Sequence, residues 1–406
     1  MYLARVQNDS VWGSLKYLFM GSLLIFLINI FFGFDNSLTS PAVEIPRWQL
    51  LIHLHGGSIG WITLSAIGIA VWTLTGDRMV DAAYESRVRN LTRAAVWIFG
   101  LYVLGFGISF ANPNNALVYY LPIFGVGAVL TLWVATFWSF GQFKNQAPLT
   151  TVHWLISGAL LTASIGATVG MLLGLERAIG QFLPNLPQGP DRVGAHAAMM
   201  DTYLFLVASA IVEWATRKQA VKWGWAGLLQ ALFWMVGATL VPIAFFLGVV
   251  EQVLPIFGLL LIIGMVIFLI RFGWRALANF SLGADMKAWT FFGTVWLIAY
   301  MALFLYAVMG TGGDFSVLPT WFFAFFAHAG FVGMMTNLLF VVVRSRAQGG
   351  AGMMGWGEPA AFWIMNLGIL VFLALKVSSD IRIGAAVMGV GVLLGVATYF
   401  MRLRAS

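Results

Sequence analysis

The chain has 406 residues, 61% of them apolar and only 9% charged, so most of it belongs in hydrocarbon and the protein is read as a polytopic membrane protein. With no Cys, disulfides, iron–sulfur clusters and thiolate-bound metals are excluded, and any metal chemistry falls to His, Met and carboxylates. The formal charge of +7 comes from basic residues scattered through short loops, which points to membrane topology and not to a nucleic-acid partner.

Apolar stretches of about twenty residues, the length that crosses a bilayer as a helix, occur at 15–34, 51–74, 91–111, 116–141, 151–175, 193–215, 221–247, 252–272, 288–310, 319–343, 360–376 and 381–401. Span 1 follows Arg5 and Lys16 and ends in FGFDNSL without a small-residue cleavage site, so it reads as a retained span and not a signal peptide. Span 2 holds IHLHGGSIGW, with His53 and His55. A tight turn at ANPNNA separates spans 3 and 4. Span 5 opens at His153 and repeats Gly166, Gly170 and Gly174, a small-residue stripe for close helix packing. Span 6 carries His196, Asp201 and Tyr203 in GAHAAMMDTY, with Glu213 near its end beside Trp214. Span 7 has no His, and span 10 has His328 in FFAHAGFVGM. Pro and Gly mark the breaks LPNLPQGPDR and GEPA. No loop is long enough for a soluble domain, so residues 1–406 are read as a single membrane-embedded domain.

Lys and Arg give the orientation. Of the 22, the termini and even-numbered loops hold 17, among them Arg87, Arg89, Arg271, Arg275, Arg344 and Arg404, and the odd-numbered loops hold Arg47, Arg177, Arg192, Lys376 and Arg382. Both termini are therefore expected in the cytoplasm, with the chain multi-pass in the inner (cytoplasmic) membrane. Spans 2, 6 and 10 then run from outside to inside. At about 1.5 Å per residue, His53, His55 and His196 lie within roughly 6 Å of the outer boundary and His328 about 10–15 Å deep. His153 lies at the opposite boundary and is set aside. Because spans 2, 6 and 10 are four apart, the expected fold is all-α: about 12 transmembrane helices in three quasi-equivalent four-helix arcs.

Two residues apart on a helix, His53 and His55 point about 160° away from each other, so one helix can offer ligands on two sides. Gly56, Gly57 and Gly60 leave room for a flat macrocycle against the backbone. One such His is as readily an inert interfacial polar group. Four at matching ends of three spans point to function, and neutral imidazole is a usual ligand of haem iron. Tyr203 lies two turns after His196, placed to hydrogen-bond toward a ligand or cofactor. Asp201 is read as orienting an imidazole or carrying protons, against a neutral buried acid. Glu213 reads as interfacial. Met199, Met200, Met334 and Met335 flank the histidines but read as core filling. Arg47, Arg177 and Arg192 sit in outer loops, where they suit haem propionates or lipid headgroups equally.

The run His53-Leu-His55-Gly-Gly-Ser-Ile-Gly60-Trp61 resembles the His-x-His, then Gly-Trp, signature of haem-copper oxidase and nitric oxide reductase large subunits, above all a shortened cbb-type cytochrome c oxidase subunit I. The resemblance implies His on helices 2, 6 and 10, haem b as cofactor (one or two), and respiratory electron transfer or O2/NO-related redox chemistry. It also implies a small cytochrome c or cupredoxin-type electron-transfer subunit as partner, beside the lipid bilayer. The chain departs from the family in two ways. Its span 7 lacks the His pair of the copper site, so copper is not expected and catalysis stays open. Its His-x-His lies on span 2 and not on span 10. Two pairings follow: His55 with His328 on a low-spin haem, or His55 with His196 on one haem and His53 with His328 on a second. Two readings compete with an oxidase-like one: a twelve-helix secondary transporter, and a non-catalytic haem-dependent sensor or assembly protein.

Overall fold

The computed structural model describes residues 9–39, 47–76, 80–111, 120–145, 149–179, 190–217, 224–311, 317–376 and 382–406. Among these residues the chain is helical without strands, as hydrocarbon demands of a backbone that must satisfy its own hydrogen bonds. The long helices are α1 (Asp9–Thr39), α2 (Arg47–His55, Gly56–Thr63 and Leu64–Thr75 in unbroken succession), α3 (Ala82–Ala111), α4 (Tyr120–Gly141), α5 (Thr151–Ile179) and α6 (Pro190–Thr216). They continue as α7 (Trp225–Leu247), α8 (Val250–Ala278), α9 (Met286–Gly310), α10 (Thr320–His328, Ala329–Thr336 and Asn337–Arg346), α11 (Gly357–Lys376) and α12 (Arg382–Ala405). Eleven have the length and composition to cross a membrane. The twelfth, α3, begins with Glu85, Arg87, Arg89 and Arg93 and turns apolar only in its second half. The chain is therefore a multi-pass helical membrane bundle.

Three helices form its interior. The most apolar windows of α2, α6 and α10 are 83%, 83% and 72% buried, against 56% or less for every other span measured. Around them α1 packs on α12, α4 on α5 and α8 on α9, so the outer helices follow one another and the first meets the last. The inner helices are parallel, because their C-terminal ends meet. Trp72 of α2 lies edge-on to Trp214 of α6 at 4.8 Å between ring centroids, and the Arg346 guanidinium of α10 sits 4.0 Å over the Trp72 ring. This cation–π stack closes that end of the core.

At the same end, polar clamps tie the last turn of each inner helix to its two successors. Thr75 of α2 shares a 2.8 Å hydrogen bond with Tyr84 of α3, whose ring lies 6.2 Å from Trp138 of α4. In the second clamp Glu213 of α6 pairs with Arg217 at 2.8 Å and Arg271 of α8 at 3.3 Å, while Arg271 donates to Gln230 of α7 at 3.0 Å and to Thr151 of α5 at 2.9 Å. In the third, Glu358 of α11 joins Arg344 of α10 to Arg402 of α12, the latter at 2.6 Å, and accepts from Tyr399 at 3.1 Å. Glu213 keeps its place at the end of α6 but does not face outward. It is fully buried, because three helix ends supply it with donors.

Candidate functional site

His53, His55, His196 and His328 all lie toward the N-terminal ends of the inner helices, about 18 residues and so roughly 27 Å from the Trp72–Trp214–Arg346 closure. All four are half-buried among buried neighbours. In each, Nδ1 meets a backbone carbonyl: His53 that of Asn29 at 2.8 Å, His55 that of Leu51 at 2.8 Å, His196 that of Gly166 at 2.8 Å and His328 that of Ala324 at 2.5 Å. A carbonyl oxygen only accepts, so Nδ1 carries the proton and the Nε2 lone pair is left for another partner. Among the described residues, no hydrogen bond reaches any of these four Nε2 atoms. This is how a protein fixes the tautomer and orientation of a metal-ligating imidazole.

His153 supplies the contrast. Its Nδ1 accepts from the Thr150 N–H at 3.1 Å, its Nε2 meets the Thr73 carbonyl at 3.1 Å, and the residue is 7% exposed. Nδ1 is committed to the start of its own helix and Nε2 to tying α5 to α2, so it has nothing to offer a ligand.

Two kinds of seat hold the four rings. His55 and His328 donate to the carbonyl four residues earlier on their own helix. His53 and His196 donate to the preceding helix, and each lies against a glycine one turn beyond the accepting carbonyl. A Cβ on Gly33 would lie 2.7 Å from Cε1 of His53, and one on Gly170 would lie 2.8 Å from Cε1 of His196. The glycine stripe of α5, read from sequence as packing alone, therefore also seats a histidine. Asn29 holds α2 from both sides, accepting from His53 Nδ1 and donating its amide to the His53 carbonyl.

Directly after His55 and His328 the helix widens into π turns, Gly56–Thr63 and Ala329–Thr336. The sequences HGGSIGWIT and HAGFVGMMT share the pattern His-x-Gly-x-x-Gly-x-x-Thr. Each closing Thr donates to the carbonyl five residues back, Thr63 to Ser58 and Thr336 to Phe331, both at 2.9 Å. Trp61 Nε1–H then joins the two turns through Thr336 at 3.3 Å. π turns of this kind gather at functional sites.

Two of the rings form a pair. His53 and His328 face each other with centroids 6.1 Å apart and planes at 34°. His55 points the other way, against Tyr102 and Phe106 of α3, and lies within electrostatic reach of His196. It is thus His53, and not His55, that stands ring to ring with His328. The cleft between α6 and α10 holds no histidine pair. Tyr300 of α9 fills it, stacked on Phe326 at 4.6 Å, lying against Gly330 and donating to Asp201. Asp201 does not orient an imidazole, because five residues after His196 it has turned toward α9. Tyr203 donates to Thr63 of α2 at 3.3 Å and not toward a histidine. Met199, Met334 and Met335 are fully buried core residues. The side chains of Arg47, Arg177 and Arg192 lie outside the described residues.

Chemically, the site presents one pair of neutral imidazole donors, His53 and His328, and two further neutral imidazoles, His55 and His196. Among the described residues no group of three or more His, Asp or Glu is placed to hold a metal ion. A bare ion wanting three or four protein ligands is poorly served by such a pair, whereas a tetrapyrrole iron brings four ligands and asks only for two. Comparison with protein-family models gives no match, and comparison with curated proteins gives none.

Proposed function

We propose that this protein binds haem b in the membrane through His53 and His328 and works in electron transfer. The observation that carries the reading is the approach of two oriented imidazoles to 6.1 Å between centroids, each with its Nε2 without a hydrogen bond among the described residues. An imidazole nitrogen binds a metal at about 2 Å, so two rings on opposite sides of one iron place their centroids about 6 Å apart. Bound there, haem supplies one-electron redox chemistry. The chain's own part is to orient both rings through the Asn29 and Ala324 carbonyls and to surround them with apolar groups such as Phe372, whose ring lies 5.0 Å from His328.

Two observations favour electron transfer over O2 or NO chemistry. An iron held by both His53 and His328 would have no open position, and the α6–α10 cleft is occupied by the Tyr300–Phe326 stack. The resemblance to a shortened cbb-type oxidase subunit I without copper ligands is consistent with both. The three clamps, repeated at the ends of α2, α6 and α10, support the arrangement in three four-helix arcs. The loop charges support cytoplasmic termini in the inner membrane, which sets the histidines near the outer face, where a small cytochrome c or cupredoxin is the fitting partner. The test is the reduced-minus-oxidised spectrum of purified protein expressed with ample haem supply, with haem counted per chain as the pyridine haemochrome. Sharp b-type bands that are lost in His53→Ala and His328→Ala are expected, and a haem-free wild-type protein would sink the reading.

A further inference from the structure

We infer that His55 and His196 form a second bis-imidazole haem site, on the opposite face of α2 from His53 and His328. The inference rests on the haem reading above but comes from a different observation, the symmetry of the seats. The first pair joins a ring seated on the preceding helix, His53, to one seated on its own helix, His328. His196 and His55 are the same combination, moved one step around the inner helices. The cross-helix seats agree in detail: carbonyl of Asn29 and backbone of Gly33 on α1, carbonyl of Gly166 and backbone of Gly170 on α5. The own-helix seats agree as well, since His55 and His328 each donate to the carbonyl four residues back and each opens a π turn.

The step α10 to α2 to α6 therefore carries the first pair onto the second. A third step finds Ala198 and Phe326 at the matching positions, which have no donor atoms, and Tyr300 fills that cleft. His55 and His196 lie within electrostatic reach and both keep Nε2 without a protein hydrogen bond among the described residues. Two imidazoles without a third ligand suit a tetrapyrrole iron over a bare ion. The two centres would share α2 as a wall, linked through His53-Leu54-His55 at one depth, so electrons would pass sideways near one membrane face.

The experiment is haem per chain by pyridine haemochrome in purified wild type, His55→Ala, His196→Ala, His53→Ala and the double variant His53→Ala/His196→Ala, with size-exclusion elution as the folding control. Two haems per chain are expected in wild type, one in each single variant and none in the double. His55→Gly grown or incubated with free imidazole should regain the lost haem, which a folding defect would not allow. One haem per chain in wild type, retained in His55→Ala and His196→Ala but lost in His53→Ala, overturns this inference and leaves the first site standing. No haem in wild type overturns both.

Discussion

One hydrogen bond separates the ligand-type histidines from His153, and the difference has measurable consequences. His153→Ala leaves the Thr150 N–H and the Thr73 carbonyl unpaired in a buried place, at a cost of about 1–3 kcal/mol. Thermal unfolding in detergent should register that loss while haem per chain stays at the wild-type value, and a parallel fall in haem would show that His153 is a ligand after all. Gly33→Ala makes the opposite test. Its Cβ would stand 2.7 Å from Cε1 of His53, and since the ring is pinned to Asn29 the clash displaces it, at about 1–3 kcal/mol. Haem at the His53–His328 pair should fall several-fold, and an unchanged spectrum would mean that the seat does not position the ring. At this scale the sequence marks which residues matter but not how they are held. The four histidines are legible from their matching places in spans 2, 6 and 10. Asn29 and Gly166 are not, because their part is played by backbone carbonyls on a neighbouring helix, which no residue type announces. Chain proximity alone sets Asp201 and Tyr203 beside His196, and both face other helices.

The helices follow directly from apolar runs of bilayer length, and the expected spans match the observed ones to within a few residues at most ends. The π turns were legible in principle. His-x-Gly-x-x-Gly-x-x-Thr stands in both α2 and α10, yet in α2 the glycines suggest space for a macrocycle, and nothing in composition says that the helix there widens. The widening has a physical signature in the threonine bonds to the fifth carbonyl back, which take up acceptors that an α-helix would have used. Thr336→Val removes such a bond and also the acceptor of the Trp61 indole N–H, a fully buried donor. The expected loss is about 2 kcal/mol, seen as a lower unfolding temperature. Because Thr336 closes the turn that His328 opens, the haem bands should also shift or broaden. Thr73→Val is the comparison. Its hydroxyl bonds only its own helix, at 2.8 Å to the Ile69 carbonyl, so the spectrum should be untouched. Equal effects of the two substitutions would show that the π turn does not set the ligand geometry.

Across the whole molecule the two ends of the inner helices are built differently. One end is tied by three clamps and closed by Trp72, Trp214 and Arg346; the other holds the imidazoles. The clamps are long-range pairings, such as Arg344 with Glu358 and Glu358 with Arg402, that a reading by spans records only as loop charge. Glu358→Ala strands the Arg402 guanidinium, 5% exposed, without its carboxylate. The cost is about 3 kcal/mol, at the lower end of the range for a broken buried pair because Arg344 keeps some contact with water. Thermal unfolding should show the loss with haem content unchanged below the transition, since the clamp and the histidines are at opposite ends. The same separation gives the proposed electron transfer a side. Roughly 27 Å of packed helix lies between the imidazoles and the closed end, so a carrier confined to one side of the membrane should reduce the haem only from the side that the histidines approach. In the proposed orientation, with the Lys and Arg excess inside, that side is the outer one. In right-side-out vesicles a membrane-impermeant reductant should therefore reduce the haem rapidly, and in inverted vesicles slowly, with detergent abolishing the difference. Faster reduction in inverted vesicles would reverse the orientation while leaving the histidine pairing intact, and equal rates in both would show that the Trp72–Trp214–Arg346 end is not a barrier.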